Sequence, residues 1–339
     1  MNKRYYILAF FICILLLASA CAKKSGAAIG SAPRTPFIGG TTGVIINFEK
    51  DSPPPEVTDD TSFGFKAIVN LKNQGEFTIP KDRMKINLIG FDPSDFGRSF
   101  QDLRDVTPDD NLQSRKRDAE GNIIEGTTTF AEFPKSGSEF IPSKFPGNTP
   151  FTFRADVCYN YQTDVISKLC VLKDMINIRD NSICRASENK AVYSSSGPVQ
   201  ITNLRQSVIG RDKISFSFDI VLNSNVDIFW SKDKIMPTSF DQGCPKDPRF
   251  RRERESNVGI IINEIPNDPI FTNPKCGGLD GTNGVVRLIS GKRTVTCTVD
   301  VVPERLDLEK TISITLQYNV LDTKETHVLV KHLATDNSP

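Results

Sequence analysis

The sequence predicts an all-β chain folded as two antiparallel β-sandwiches, and three observations lead there. β-Branched and aromatic residues alternate with polar ones at many places, the period-two pattern of half-buried strands. Gly, Pro, Asn and Asp punctuate those runs where turns are needed. Beyond the first twenty residues, no stretch sustains an apolar helical period for three turns.

The chain opens on a stretch of different character. Lys3 and Arg4 form a basic head, Tyr5 to Leu17 are almost wholly apolar, and Ala18-Ser19-Ala20 supply small residues before Cys21. This is the anatomy of a secretory signal peptide over residues 1–20, since the apolar run is shorter than the roughly 20 residues that span a bilayer comfortably. Leu17 to Cys21 resembles the lipobox of prokaryotic lipoproteins, with Ala18 where that family usually has Leu. The resemblance implies cleavage before Cys21 and a diacylglyceryl group on its thiol, which would make membrane lipid the first partner. An uncleaved anchor, or a secreted chain in which Cys21 is incidental, is the alternative; both still place the body outside the cytoplasm, exported or held at the outer face of a cell membrane. Residues 21–42 are small, contain Gly, Ala and Pro, and lack apolar periodicity, so they read as a lipid-anchored flexible linker.

The first sandwich is expected over residues 43–190. Val44 to Phe48 reads as a strand closed by Pro53-Pro54-Pro55. Phe63, Phe65, Ala67, Val69 and Leu71 then share one face, with Ile68 the exception among the polar residues opposite, and Asn73-Gln74-Gly75 turns the chain. Met84 to Ile89 is the next strand. Pro93 to Ser138 is charged and poor in apolar residues apart from Phe130 and Phe133, which predicts a long excursion away from the core. Phe151, Phe153, Ala155, Val157 and Tyr159 restore the alternation and put Cys158 on the polar face beside Arg154 and Asp156.

The polar stretch Glu188 to Gly197 predicts a domain boundary, with the second sandwich over residues 197–333. Ile214, Phe216, Phe218, Ile220 and Leu222 alternate with polar residues and end at Asn223-Ser224-Asn225. Further strands are expected at Val258–Ile262, Val285–Ile289, Val295–Val301 and Ile312–Val320. Cys297 falls in the apolar phase of its strand and is expected to face the core.

Six cysteines remain beyond Cys21: Cys158, Cys170, Cys184, Cys244, Cys276 and Cys297. An even number in an exported chain reads as disulfides, and six allow fifteen pairings. Cys170 is placed to meet Cys158 or Cys184, and Cys297 to meet Cys244 or Cys276. No CxxC pair occurs and the chain has 2 histidines, so no metal site and no cofactor is expected. The net charge of +1 becomes about −1 once Lys3 and Arg4 leave with the leader, so no global field draws the protein to nucleic acid.

Asp59-Asp60 through Leu71-Lys72-Asn73-Gln74-Gly75, an acidic turn and a strand closing on Asn-x-Gly, resembles the immunoglobulin-like CARDB modules of prokaryotic surface proteins. Arg211-Asp212-Lys213 through Asn223-Ser224-Asn225 is similar to a second copy. With the lipobox, the arrangement resembles archaeal envelope lipoproteins, which implies adhesion, scaffolding or presentation and carries no catalytic residues over. The expected function is therefore a non-catalytic structural or protein-interaction module of the envelope. The alternative is a carbohydrate-binding adhesin using Trp230 and Phe250 as stacking faces; its partner would be a polysaccharide rather than an envelope protein. An envelope hydrolase is disfavoured because no Gly-x-Ser-x-Gly elbow accompanies His327 and His332. Asp59-Asp60 and Asp109-Asp110 read as turn acids rather than calcium ligands. The run Arg249 to Glu255 is the densest basic cluster, expected in an exposed loop.

Overall fold

The long alternating runs near residues 151–159 and 312–320 are parts of two much longer strands, β8 (Thr149–Val171) and β18 (Leu308–Lys331). In the computed structural model these two pair antiparallel from Val171 opposite Leu308 to Thr149 opposite Val330. The structure describes residues 35–60, 63–135, 137–230, 243–263, 265 and 268–333. The leader 1–20, Cys21 and the linker up to residue 34 lie outside the described residues.

Shorter strands dress this ladder on both edges. Along β8, β4 (Met84–Ile89) pairs from Met84 opposite Tyr159 to Ile89 opposite Arg154, and β10 (Val192–Ser194) pairs with Val165–Ser167. Along β18 lie β13 (Asp227–Phe229), β14 (Asn257–Ile262) and, in parallel, β2 (Glu56–Thr58); β16 (Asn283–Arg287) continues beyond β14.

Two further sheets supply the opposing apolar faces. One orders β1 (Val44–Phe48), β3 (Ala67–Asn73) and β7 (Thr128–Phe133). The other orders β15 (Phe271–Cys276), β17 (Lys292–Val301), β12 (Lys213–Leu222), β11 (Val199–Gly210) and β9 (Glu188–Asn189). A small hairpin joins β5 (Lys116–Arg117) to β6 (Ile123–Ile124). The molecule is thus all-β, built of antiparallel sheets. Among the described residues no helix is long and apolar enough to cross a membrane.

Alternation decides which faces are buried. In β3, Ala67, Val69 and Leu71 are buried, and in β12 Ile214, Phe216, Phe218 and Ile220. Phe63, expected on the same face as Phe65, is 78% exposed because β3 begins only at Ala67. Phe153 sits in an aromatic cluster, stacked on Phe91 at 4.1 Å between ring centroids and edge-on to Phe96 and Phe140 at 5.5 and 5.6 Å. Each such ring contributes roughly 1.5–3 kcal/mol by leaving water.

Three expectations are corrected. First, the boundary near residues 190–197 does not separate two halves of the chain. β8 lies in the expected first domain and β18 in the second, yet they are ladder partners over their length, and Pro36–Pro339 forms one unit. Midway along the ladder Tyr161 stands opposite Tyr318, their hydroxyls satisfied by the Ser196 carbonyl (2.7 Å) and by Thr163 Oγ1 (2.7 Å). The Tyr161 hydroxyl leaves no room at Gly75, where a Cβ would lie 1.7 Å from it.

Second, Pro93 to Ser138 is not wholly an excursion. Phe96, Leu103, Leu112, Ala131 and Phe133 enter the core, and β7 pairs with β3. Its apolar residues are too scattered to show a period, because most are delivered singly from turns. Of the two phenylalanines noted there, Phe130 stays exposed on the outer face of β7.

Third, the end of the expected linker is bonded into the body. Glu76 accepts from the N–H groups of Ile38, Gly39 and Ser196 at 2.8, 2.8 and 2.7 Å. Gln200 donates to the Gly40 carbonyl and Ser196 to that of Thr42. Local composition has no apolar signal there because polar groups from distant strands do the ordering.

Asp59 likewise ties down the end of β18. Its buried carboxylate pairs with His332 Nδ1 at 2.7 Å and accepts from the Leu333 and Phe145 N–H groups at 2.9 and 3.0 Å. The His332 hydrogen bond foremost, then those two amides, hold the carboxyl well below the usual range. A depressed pKa stabilises the fold above the ordinary carboxylate value of about 4 and loses that contribution as pH falls below it. The excess thermal stability of the wild type over Asp59→Asn is therefore expected to be full at neutral pH and to shrink in melts taken below about pH 4. Glu76→Ala is expected to speed amide hydrogen exchange at Ile38, Gly39 and Ser196 selectively, leaving amides of the β8–β18 ladder protected.

A candidate binding groove beside the Cys158–Cys244 disulfide

The outer face of the ladder carries polar residues in register. Lys85 of β4, Cys158 of β8, Leu321 of β18 and Asp227 of β13 stand in one row across four strands, and Asn87, Asp156 and Thr323 form the next. Cys158 bonds to Cys244, which pins Gly243–Asp247 over this face; Asn319 adds a bond to the Gly243 carbonyl at 3.3 Å. The other cysteines pair as Cys170–Cys184 and Cys276–Cys297. Cys170 thus takes Cys184 of its two possible partners, and the buried Cys297 takes Cys276 from the neighbouring strand.

The basic run after Cys244 is not a loop. Pro248–Arg254 forms the short helix α1, with Asp247 as N-cap accepting from the Arg249 N–H at 2.8 Å and Pro248 in the first turn. The Asp-Pro start was the available sequence signal. The helix spreads its charges: Arg249 pairs back to Asp247, Arg254 lies over the Phe250 ring at 5.3 Å, and Arg251 pairs with Asp227 at 2.6 Å.

Between this segment and the ladder runs a cavity of about 700 Å³, lined by Lys85, Asn87, Asp105, Asp156, Lys246 and Arg251 together with the disulfide. A second cavity of about 350 Å³ adjoins it, sharing Asp105 and Lys246 and adding Phe100, Gln101, Arg104 and Lys135. Ser99 and Asp102 cap the 3₁₀ turn Phe100–Leu103 reciprocally, which fixes Phe100 and Arg104 at the rim. Burial pushes the Asp156 carboxyl up, while Arg154 at 3.1 Å pulls the other way. A larger cavity of about 920 Å³ lies under the loop closed by Cys170–Cys184. Its acids are internally committed: Asp174 binds the Asn177 and Ile176 amides, Asp307 the Lys173 amide and Asp212 the Arg305 guanidinium.

Trp230 and Phe250, the paired stacking candidates, part company. Trp230 is 2% exposed and belongs to the interior, its indole against the bare backbone of Gly259, where a Cβ would meet Nε1 at 2.7 Å. It offers no face to a sugar. Phe250 is 48% exposed on α1. Sequence spacing gives no signal for most of the groove's cations, because Lys85, Arg104, Lys135 and Lys246 are single charges on separate segments. Neither histidine lines it: His327 is 3.2 Å from Thr152 Oγ1 and His332 serves Asp59. Among the described residues no group of three or more His, Cys, Asp or Glu side chains is placed to hold a metal ion. The arrangement offers fixed cations, amides and an aromatic rim.

Because their burial differs, Trp230→Ala is expected to cost about 3–5 kcal/mol in urea unfolding, and Phe250→Ala to stay within about 0.5 kcal/mol of wild type. No protein-family model matches the chain, and no curated protein matches it.

Proposed function

We propose that this protein is an exported, lipid-anchored module of the cell envelope that acts by binding and scaffolding rather than by catalysis. The observation that supports this most directly is that all six cysteines of the body close into three disulfides, the chemistry of an oxidising compartment. The leader and the lipobox-like Leu17–Cys21 agree with it, and two acyl chains would hold the body stably where one gives only marginal binding. Antiparallel sheets with loops stapled to them suit the immunoglobulin-like modules that the Asn-x-Gly strand resembles. The partner is an envelope protein or polysaccharide, met by a surface built on the rigid strand pair.

Mass spectrometry of the protein from membranes, before and after reduction, tests the reading. The expected N-terminus is a diacylated Cys21, with three disulfides lost on reduction, and Cys21→Ser is expected to move the protein from the detergent phase to the aqueous one. An intact, unprocessed and fully reduced chain in the cytosol would overturn the proposal.

A further inference from the structure

We infer that the groove beside Cys158–Cys244 binds an acidic polysaccharide, a sugar chain bearing carboxylates. The inference rests on the envelope reading above for its setting, and on the groove alone for its chemistry. Five cations from distant parts of the chain meet there: Lys85, Arg104, Lys135, Lys246 and Arg251. Lys246 and Arg251 have carboxylate partners, Asp105 at 3.3 Å for the first and Asp227 for the second. Lys85, Arg104 and Lys135 form no ion pair among the described residues. Lys135 instead donates to the Arg104 backbone carbonyl at 2.6 Å, and the Arg104 guanidinium lies 4.8 Å over the Phe100 ring. Among the described residues the lining acids are Asp105 and Asp156, with Asp227 beside Arg251, so the five cations leave an excess of positive charge although the whole chain is nearly neutral.

The shape and lining favour a sugar over an acidic peptide. Two adjoining cavities that share Asp105 and Lys246 spread the charged surface beyond a single pocket, which fits a polymer with repeated anionic groups. Gln101 supplies an amide for hydroxyl groups, while the buried Asn87 accepts from Lys246 at 3.2 Å and sets it in the groove; Phe100, 52% exposed, supplies an apolar ring face at the rim. A peptide strand would bring apolar side chains as well, and among the described lining residues Phe100, Leu321, Pro245 and the disulfide are those that would receive them.

The test uses the full-length exported protein with its disulfides intact, titrated with alginate as the polyuronate, and with dextran, poly-L-glutamate and phosphatidylglycerol vesicles as comparisons. Alginate is expected to bind best, and more weakly as salt shortens the range of exposed charges from about 10 Å at 0.1 M to about 3 Å at 1 M. Exposed charge contacts contribute about 0.2–1 kcal/mol each, so reversing Lys85, Arg104 and Lys135 together to Glu is expected to weaken alginate binding by about tenfold or more. Arg104→Gln alone is expected to weaken it about two- to fivefold, and Arg179→Ser, in the separate cavity of about 920 Å³ by the Cys170–Cys184 loop, to leave it unchanged. Circular dichroism and the disulfide map confirm that each variant is folded. Equal retention of dextran, a preference for poly-L-glutamate or for vesicles, no binding of alginate, or an unaltered triple variant would each overturn the inference. Loss of Cys21 acylation with alginate binding intact would instead count against the anchored reading alone.

Discussion

The pairing of β8 with β18 is the constraint on which the rest of the structure depends. Two strands of 23 and 24 residues, far longer than the usual three to ten, bring residues 149–171 against residues 308–331. Everything else is positioned by which edge and which face of that pair it occupies. β4 and β10 complete one edge, and β13, β14 and β2 the other. One face receives the apolar sides of the sheets built on β3 and β12. The opposite face is polar near residues 154–158 and carries the groove.

Such a long-range ladder has an entropic cost, because the segments it joins lie far apart in the chain. The three disulfides act on the segments that depend on it. Cys158–Cys244 bridges 86 residues and fixes the approach to α1 over the ladder. Cys170–Cys184 closes the loop leaving β8, and Cys276–Cys297 ties β15 to β17. Cross-links of this kind restrict the unfolded chain by an amount that grows with loop length, on the entropic account. In this molecule the longest of them also lines the groove and ties the segment that leads into α1 to the ladder.

Buried and half-buried polar groups provide a second layer of specification. Glu76 and Gln200 gather the N-terminal segment, Asp59 gathers the end of β18, and Arg305 places its guanidinium among the carbonyls of Leu172, Val302 and Arg211 beside Asp212. These side chains each satisfy backbone groups that no strand pairs. Leaving any such donor or acceptor buried and unmatched costs about 1–3 kcal/mol, which is why loops without apolar periodicity still adopt one path.

Local pattern was enough for the all-β class, for most strands, for the outward face of Cys158 and the inward face of Cys297. Alternation over five or more residues is a short-range property that burial enforces strand by strand. It was silent where order comes from single residues at long range: the core insertions of Phe96, Leu103 and Leu112, and the anchoring of residues 38–42 by Glu76. Registry between residues 149–171 and 308–331 belongs to the tertiary structure alone, since each strand is equally compatible with a neighbour in its own half of the chain. The same holds for the groove, because isolated lysines and arginines at positions 85, 104, 135 and 246 acquire meaning only when the ladder and the Cys158–Cys244 bridge bring them to one surface.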